Sequence, residues 1–319
     1  MQRPRVASRY LDAAGPRVFA HRGFADGVPG NTLAAFRAAL EAGATHLESD
    51  VRATRDGVPV LFHDECLPVG LVPAATVRGA DGSGLPDDVD ANADAREHMM
   101  GGSATDARRS LAKTDNAAVD GPAIRTLTLA ELRRIDLGGG HRIPTVADAL
   151  DAFPGVFWNL DLKAPDAVVA TAKQVWRVGA ADRVLLTSFS EVSRARAVRL
   201  LPGIATSASS VGTAALLLAA VTGRTALVRA VTRLLPGAVL ALQIPERAGP
   251  LPLVTSPLLA TLHGAGLEVH VWTVNERSDI RRLLTLGVDG IVTDRPDVAR
   301  AVVNVLDVFE ALGPSHTGS

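Results

Sequence analysis

Four short segments hold the side chains that could do chemistry. In LESD, Glu48 and Asp50 lie two residues apart. On a β-strand that spacing sends both to one face. Two carboxylates pointing inward from an apolar strand repel each other and lose hydration, and a cation between them relieves both problems. NLDLK repeats the spacing on a later strand with Asn159, Asp161 and Lys163. Glu48, Asp50 and Asp161 together offer three acidic oxygen ligands with positions left for water. That donor set suits Mg²⁺ or Ca²⁺, whereas zinc would draw on more His or Cys. The same carboxylates admit a second reading, a structural ion-pair network with Arg or Lys.

His21 ends the first strand and His63 the third, followed by Arg22 and Asp64. A lone strand-end histidine is an ordinary hydrogen-bonding core residue. Two of them bracketing a strand with paired carboxylates can serve as general base and general acid near neutral pH. Arg22 and Lys163 can neutralise phosphate oxygens. A cation, two proton-transfer groups and two positive side chains in one pocket fit hydrolysis of a phosphodiester.

Such a pocket needs strands whose ends meet. Short apolar runs recur along the chain: 18–23, 46–53, 58–64, 156–163, 183–190, 203–209, 239–245, 267–275 and 290–294. Helical patterns separate most of them, as in TLAAFRAALEAG, where Leu33, Phe36 and Leu40 form one stripe and Gly43 is a C-terminal cap. Asn31 or Thr32 can cap the start of that helix. This alternation predicts an α/β fold, a (β/α)8 TIM barrel with the site at the C-terminal strand ends and an insertion after the third strand. A doubly wound open sheet is the alternative. Nine strand candidates compete for eight places, and VLALQIP is the weakest, short or peripheral by expectation.

Residues 66–123 break the rhythm with Gly, Asp, Ala and Ser, and read as the insertion. Their DVDANAD stretch imitates a calcium loop, but Ala93 stands where that loop needs Gly and Met99 at its twelfth position, so it reads as a solvated acidic loop. The expected organisation is an N-terminal extension (1–16), one barrel domain (17–305) and a flexible tail (306–319).

Composition excludes several classes. The chain has 319 residues, is 47% hydrophobic, and carries a net charge of −1, which recruits neither nucleic acid nor an acidic membrane globally. A single cysteine, Cys66, allows no disulfide framework and accords with a reducing compartment. No signal peptide or spanning segment is evident, so a cytoplasmic location without stable membrane insertion is expected. The sequence assigns no oligomeric state.

AHRG, P-x-NT-LAAF, HLESDV, DG-VPVLFHD, NLDLK, LLTSFS and VHVWTVN…LGVDGIVTDRP occur in that order from Val18 to Val298. Together they resemble the glycerophosphodiester phosphodiesterases. The resemblance implies a TIM barrel that uses one divalent cation to cleave deacylated phospholipid head groups into glycerol 3-phosphate and an alcohol. It implies His21 and His63 as catalytic histidines, Glu48, Asp50 and Asp161 as metal ligands, Arg22 and Lys163 as phosphate contacts, and Trp272 as a pocket-lining aromatic. His270 shares a strand face with Trp272 by spacing alone. The sequence departs from the family pattern at Gly30, where Glu is usual, at Asp161, also usually Glu, and after HD, where HDECLPVG opens the insertion. Two other activities stay open. The apolar tract Val211–Leu235 could form a rim for the acyl chain of a lysophospholipid, giving a lysophospholipase D, or it could be ordinary packing helices. Gly30 and Asp161 could mark a barrel that binds phosphoesters without turning them over. A zinc amidohydrolase would need an H-x-H strand end, which is not seen.

Overall fold

A computed structural model of the chain describes residues 8–12, 15–71 and 121–312. Eight parallel strands close into a barrel: β1 (Arg17–His21), β2 (His46–Ala53), β4 (Phe157–Leu162), β5 (Val184–Thr187), β6 (Ala205–Ser207), β7 (Ala238–Ile244), β10 (Glu268–Val271) and β11 (Gly290–Thr293). β11 pairs with β1, and β1 pairs with β2, so no edge is left open; β8 (Arg247–Ala248) and β9 (Leu251–Pro252) form a separate antiparallel pair after β7. Their apolar side chains and the surrounding helices share one large core that includes Leu47, Phe36 and Trp158.

The strand count corrects one expectation. VLALQI is a full member of the barrel as β7, between β6 and β10. The extra candidate is β3 (Pro59–Leu61), which pairs antiparallel with β2 as a short hairpin. After TRDG reverses the chain, β3 can only lie beside the strand it has just left. His63 therefore does not end a barrel strand. β3 and the segment 121–144 bury a second, smaller apolar cluster with Val60, Ile124 and Leu132, and Phe62 packs on it. Residues 72–120, including the DVDANAD stretch, lie outside the described residues.

The N-terminal end of the barrel is closed by rings. Phe19 lies 4.7 Å from both His46 and His270, and His46 stacks on Phe157 at 5.1 Å. Tyr10, from the expected N-terminal extension, is fully buried against His46. Burial pulls the His46 pKa down to about 3, so the ring stays neutral. Arg17 and His270 both bind Glu268, each at 3.0 Å. At the other end of the chain, the last helix continues to Leu312, past the expected barrel boundary.

The first βα connection is shaped for the site. Arg22 and Asn31 take left-handed backbone conformations, φ +58 and +56. The Asn31 amide donates to the Arg22 carbonyl (2.8 Å), closing the loop, and the Ser49 hydroxyl donates to the Asn31 side chain (2.6 Å). Thr32 then caps the helix Leu33–Glu41 by accepting from the Ala35 amide. Gly23 sits at φ +84, and a Cβ there would come within 2.7 Å of the Ala35 backbone. Gly23→Ala is expected to cost at least ~2 kcal/mol of stability, measured by urea unfolding; a cost below about 0.5 kcal/mol would show that this close approach does not constrain the loop.

Candidate active site

A pocket of about 540 Å³ opens at the C-terminal end of the barrel. All eight residues singled out in the sequence line it: His21, Arg22, Glu48, Asp50, His63, Asp161, Lys163 and Trp272. Register explains most of this. His21 is level with Glu48 across β1 and β2, Glu48 with Asn159 and Asp50 with Asp161 across β2 and β4. The i,i+2 spacing on β2 and β4 turns all of these inward. Lys163 follows β4 directly, its amide bonded to the Val51 carbonyl. His63 arrives from the hairpin side. The Phe62 amide donates to the Asp50 carbonyl (3.0 Å), and Arg52 Nε donates to the His63 carbonyl (2.8 Å).

The carboxylates make an ion-pair network. Lys163 Nζ lies 2.7 Å from Asp161 Oδ2 and 3.0 Å from Asp50 Oδ1, and Arg22 Nε lies 3.0 Å from Asp50 Oδ2. The Arg22 backbone amide donates to the Glu48 carboxylate at 3.2 Å. So the ion-pair reading left open by the sequence is realised at Asp50 and Asp161. It is incomplete, because Asp161 Oδ1 is buried without a hydrogen bond and Arg22 Nε meets Asp50 Oδ2 as an ion pair without hydrogen-bond geometry. Burial, then the nearby Asp50 charge, push the Glu48 pKa up to about 7. Burial opposes ionisation of Asp50 too, but Arg22 and Lys163 hold its pKa below the usual range. At Asp161 burial outweighs Lys163 and the pKa is raised. Three carboxylates thus face two cations, with carboxylate oxygens to spare.

That surplus fits a hard divalent cation held by oxygen ligands. Among the described residues, no three His, Cys, Asp or Glu groups are already gathered as a metal cage. Nothing in the donor set favours zinc.

Each histidine is held through one ring nitrogen. His21 Nδ1 is 2.7 Å from Asp294 Oδ1, and His63 Nδ1 is 2.7 Å from Asp64 Oδ1. An Nδ1–H donated to a carboxylate leaves Nε2 for proton transfer. Burial lowers the tendency of His21 to take a proton, but the Asp294 bond and the Glu48 charge outweigh it and raise its pKa above 6.5. Asp294 is itself fixed by Asn275, whose Nδ2 donates to Oδ2 at 2.8 Å.

Sequence reasoning missed Asp294, although it ends GIVTD as His21 ends VFAH. An acid at the end of the last barrel strand was the available signal, but only closure of β11 onto β1 makes it the partner of His21. It also missed Phe189, whose ring meets Trp272 edge-on at 6.1 Å and has Lys163 Nζ 5.4 Å from its centre. Asn159, Gln243 and Thr187 add uncharged polar groups to the pocket lining. His270 is fully buried in the floor and takes no part. Gly30 stands clear: a Cβ there would meet Arg22 and Ala25 atoms only at 3.5 Å or more, ordinary contact distance.

Residues 21–298 match the model of the "Glycerophosphoryl diester phosphodiesterase family". A Mycobacterium tuberculosis protein named "Probable glycerophosphodiester phosphodiesterase 2" is 36% identical over 295 residues, 92% of this chain and 93% of that one. Among solved structures, a glycerophosphodiester phosphodiesterase from Agrobacterium tumefaciens is 24% identical with TM-score 0.59, covering 91% of this chain and 100% of that one. An Oleispira antarctica phosphodiesterase, solved with the product sn-glycerol-3-phosphate, is 23% identical with TM-score 0.61, covering 91% and 97%. At those identities the two structures speak for the fold alone.

Two predictions follow from this geometry. The folded pKa of Glu48, about 7, lies above the 4.5 of a free side chain. The native state therefore holds a proton that the unfolded chain has lost between those values, and stability falls as pH rises through that window. In EDTA, Glu48→Gln is expected to raise stability at pH 8 by roughly 1–3 kcal/mol and by far less at pH 5; an equal gain at both values would contradict the assignment. Gly30→Glu is expected to leave the melting temperature within about 3 °C of wild type, since its Cβ meets no obstacle; a larger loss on thermal unfolding would show the loop to be closed there.

Proposed function

Because this chain belongs to the glycerophosphoryl diester phosphodiesterase family, we propose that it hydrolyses glycerophosphodiesters to sn-glycerol 3-phosphate and an alcohol, using one divalent cation and two histidines. The observation that carries the reading is the pair of Asp-anchored imidazoles, His21 and His63, lining one pocket with three carboxylates, Arg22 and Lys163.

Glu48, Asp50 and Asp161 are the residues to hold Mg²⁺ or Ca²⁺. Bound there, the ion supplies Lewis-acid polarisation and a lowered pKa for an attacking hydroxyl or water. Arg22 and Lys163 bind the phosphate oxygens and offset charge that builds on them in the transition state. His21 Nε2 takes the proton of the nucleophile, either the glycerol 2-hydroxyl, giving a cyclic phosphate that is then hydrolysed, or water directly. Asp294 favours the imidazolium that results. His63 Nε2 delivers a proton to the leaving alcohol, and Asp64 fixes its ring. Asn159 and Gln243 are placed to hydrogen-bond hydroxyls of the glycerol moiety, while Trp272 and Phe189 pack against its carbon face. A cytoplasmic location accords with the free Cys66, and no described helix is long and apolar enough to cross a membrane.

A second reading is cleavage of lysophospholipids to a lysophosphatidic acid. The apolar flank of the pocket, Phe189, Leu253 and Trp272, favours it. The tract Val211–Leu235 supports it little, since only Thr213 of that tract lines the pocket.

His21→Ala and His63→Ala are each expected to lower the rate on glycerophosphocholine by roughly 10²–10⁴-fold. Hydrolysis measured with Mg²⁺, Ca²⁺ and EDTA on glycerophosphocholine and lysophosphatidylcholine tests cation and substrate together; full activity of both variants, or full activity in EDTA, would reject the mechanism. A folded protein that binds the cation and turns over no diester would instead be the non-catalytic barrel. If His21 is the base, kcat/KM rises with pH through a limb above 6.5, because the base must be unprotonated and its pKa is raised. Asp294→Asn removes the raising partner, so that limb should move to lower pH while the maximum falls by on the order of 10²-fold; an unmoved limb assigns the base elsewhere.

A further inference from the structure

We propose that the helix pair Ser210–Ala220 and Thr225–Leu234 docks the enzyme on anionic lipid bilayers, with the pocket opening at the edge of the docked face.

A solvated helix buries an apolar stripe and exposes a polar one, whereas a helix apolar all round is normally covered. The first helix, SVGTAALLLAA, is apolar on both sides. Gly212, Leu216, Ala219 and Ala220 face the core. Opposite them Val211, Leu218 and Val221 are each 71% exposed, with Ala214 also exposed between them. Spacings of three and four put these on one face, and ten residues at 1.5 Å each make it about 15 Å long. On the second helix only Val228 is buried, and Leu227, Ala230 and Leu234 are exposed. No described residue covers either stripe.

Charge selects the occupant. From Glu191 to Glu246 the sequence has no other acid, and it has six arginines. Arg194 is buried on Glu191, while Arg196, Arg199, Arg224, Arg229 and Arg233 are exposed. Apolar side chains flanked by arginine, with the nearby Glu191 already paired to Arg194, suit the boundary between anionic head groups and acyl chains. A second copy fits worse, because a two-fold interface would set this cationic face against itself.

The face is continuous with the pocket. The Ser210 amide donates to the Phe189 carbonyl at 3.2 Å, and both residues line it. Phe189 and Val192, 58% and 79% exposed, extend the apolar surface there. Docking would present the opening to diesters released at, or still held in, a bilayer, without a spanning helix.

The test is co-sedimentation of the full chain with phosphatidylglycerol–phosphatidylcholine vesicles against pure phosphatidylcholine, which reads binding whether or not catalysis occurs. Wild type should sediment with the anionic vesicles and be released by high salt. Leu218→Glu with Leu234→Glu, and separately Arg224→Gln with Arg233→Gln, should each weaken binding by about tenfold or more, with unchanged circular dichroism and unchanged rate on water-soluble diester. Absence of wild-type binding, undiminished binding of folded variants, or a light-scattering dimer dissolved by the Leu218→Glu, Leu234→Glu pair would overturn the proposal.

Discussion

The pocket is organised around a packing of like charge. Pairing of β2 with β4 sets Asp50 level with Asp161, two residues beyond Glu48 and Asn159, inside a closed barrel where water is scarce. Like charges side by side on a sheet are unfavourable, and buried carboxylates lose hydration as well. The arrangement survives because Lys163 and Arg22 reach Asp50 from two sides and Lys163 also holds Asp161. Glu48 is not in that ion-pair network, and burial, then the Asp50 charge, raise its pKa. Removing either cation would leave a buried charge uncompensated, which is far more costly than losing a surface ion pair. The left-handed turn at Arg22 serves the same network, for it turns the chain where guanidinium and backbone amide can both face β2.

The two histidines stand on different supports. His21 belongs to the barrel proper, and its Asp294 partner comes from the strand that closes the ring. His63 hangs on a two-stranded hairpin backed by a smaller apolar cluster. The distance between them is therefore set by two packing units and by the few bonds that tie Phe62 and Arg52 to the His63 loop. A barrel with its ion-pair network intact could still lose proton transfer if that smaller cluster loosened, and this makes the hairpin cluster part of the active site's support.

The ends of the barrel divide the work. The floor is sealed by rings of Tyr10, Phe19, His46, Phe157 and His270, with Arg17 and Glu268 neutralising each other. On the outside, the helices after β6 carry apolar and arginine side chains, while the pocket itself takes only Ser210 and Thr213 from that region.

Much of the site was legible in order along the chain. Period-two spacing told which side chains share a face, and LESD and NLDLK keep that spacing inside the barrel as the pleat requires. The rhythm of strand and helix told the barrel. The role of the β2–β3 hairpin was not legible, because an apolar run reads alike whether it pairs inside the ring or beside it. VPVL looked more like a barrel strand than VLALQI, and only the closure of hydrogen bonds between β6, β7 and β10 reversed their places. Local sequence thus determined the chemical types on each strand and the face they share, since those depend on neighbours two residues away. Tertiary structure decided the partners: Asp294 for His21 across 273 residues of chain, Arg22 and Lys163 for Asp50, and a solvent-facing apolar stripe on a helix whose composition alone would place it in the core. Such pairings depend on how the ring closes and what is left outside it, and no local spacing encodes that.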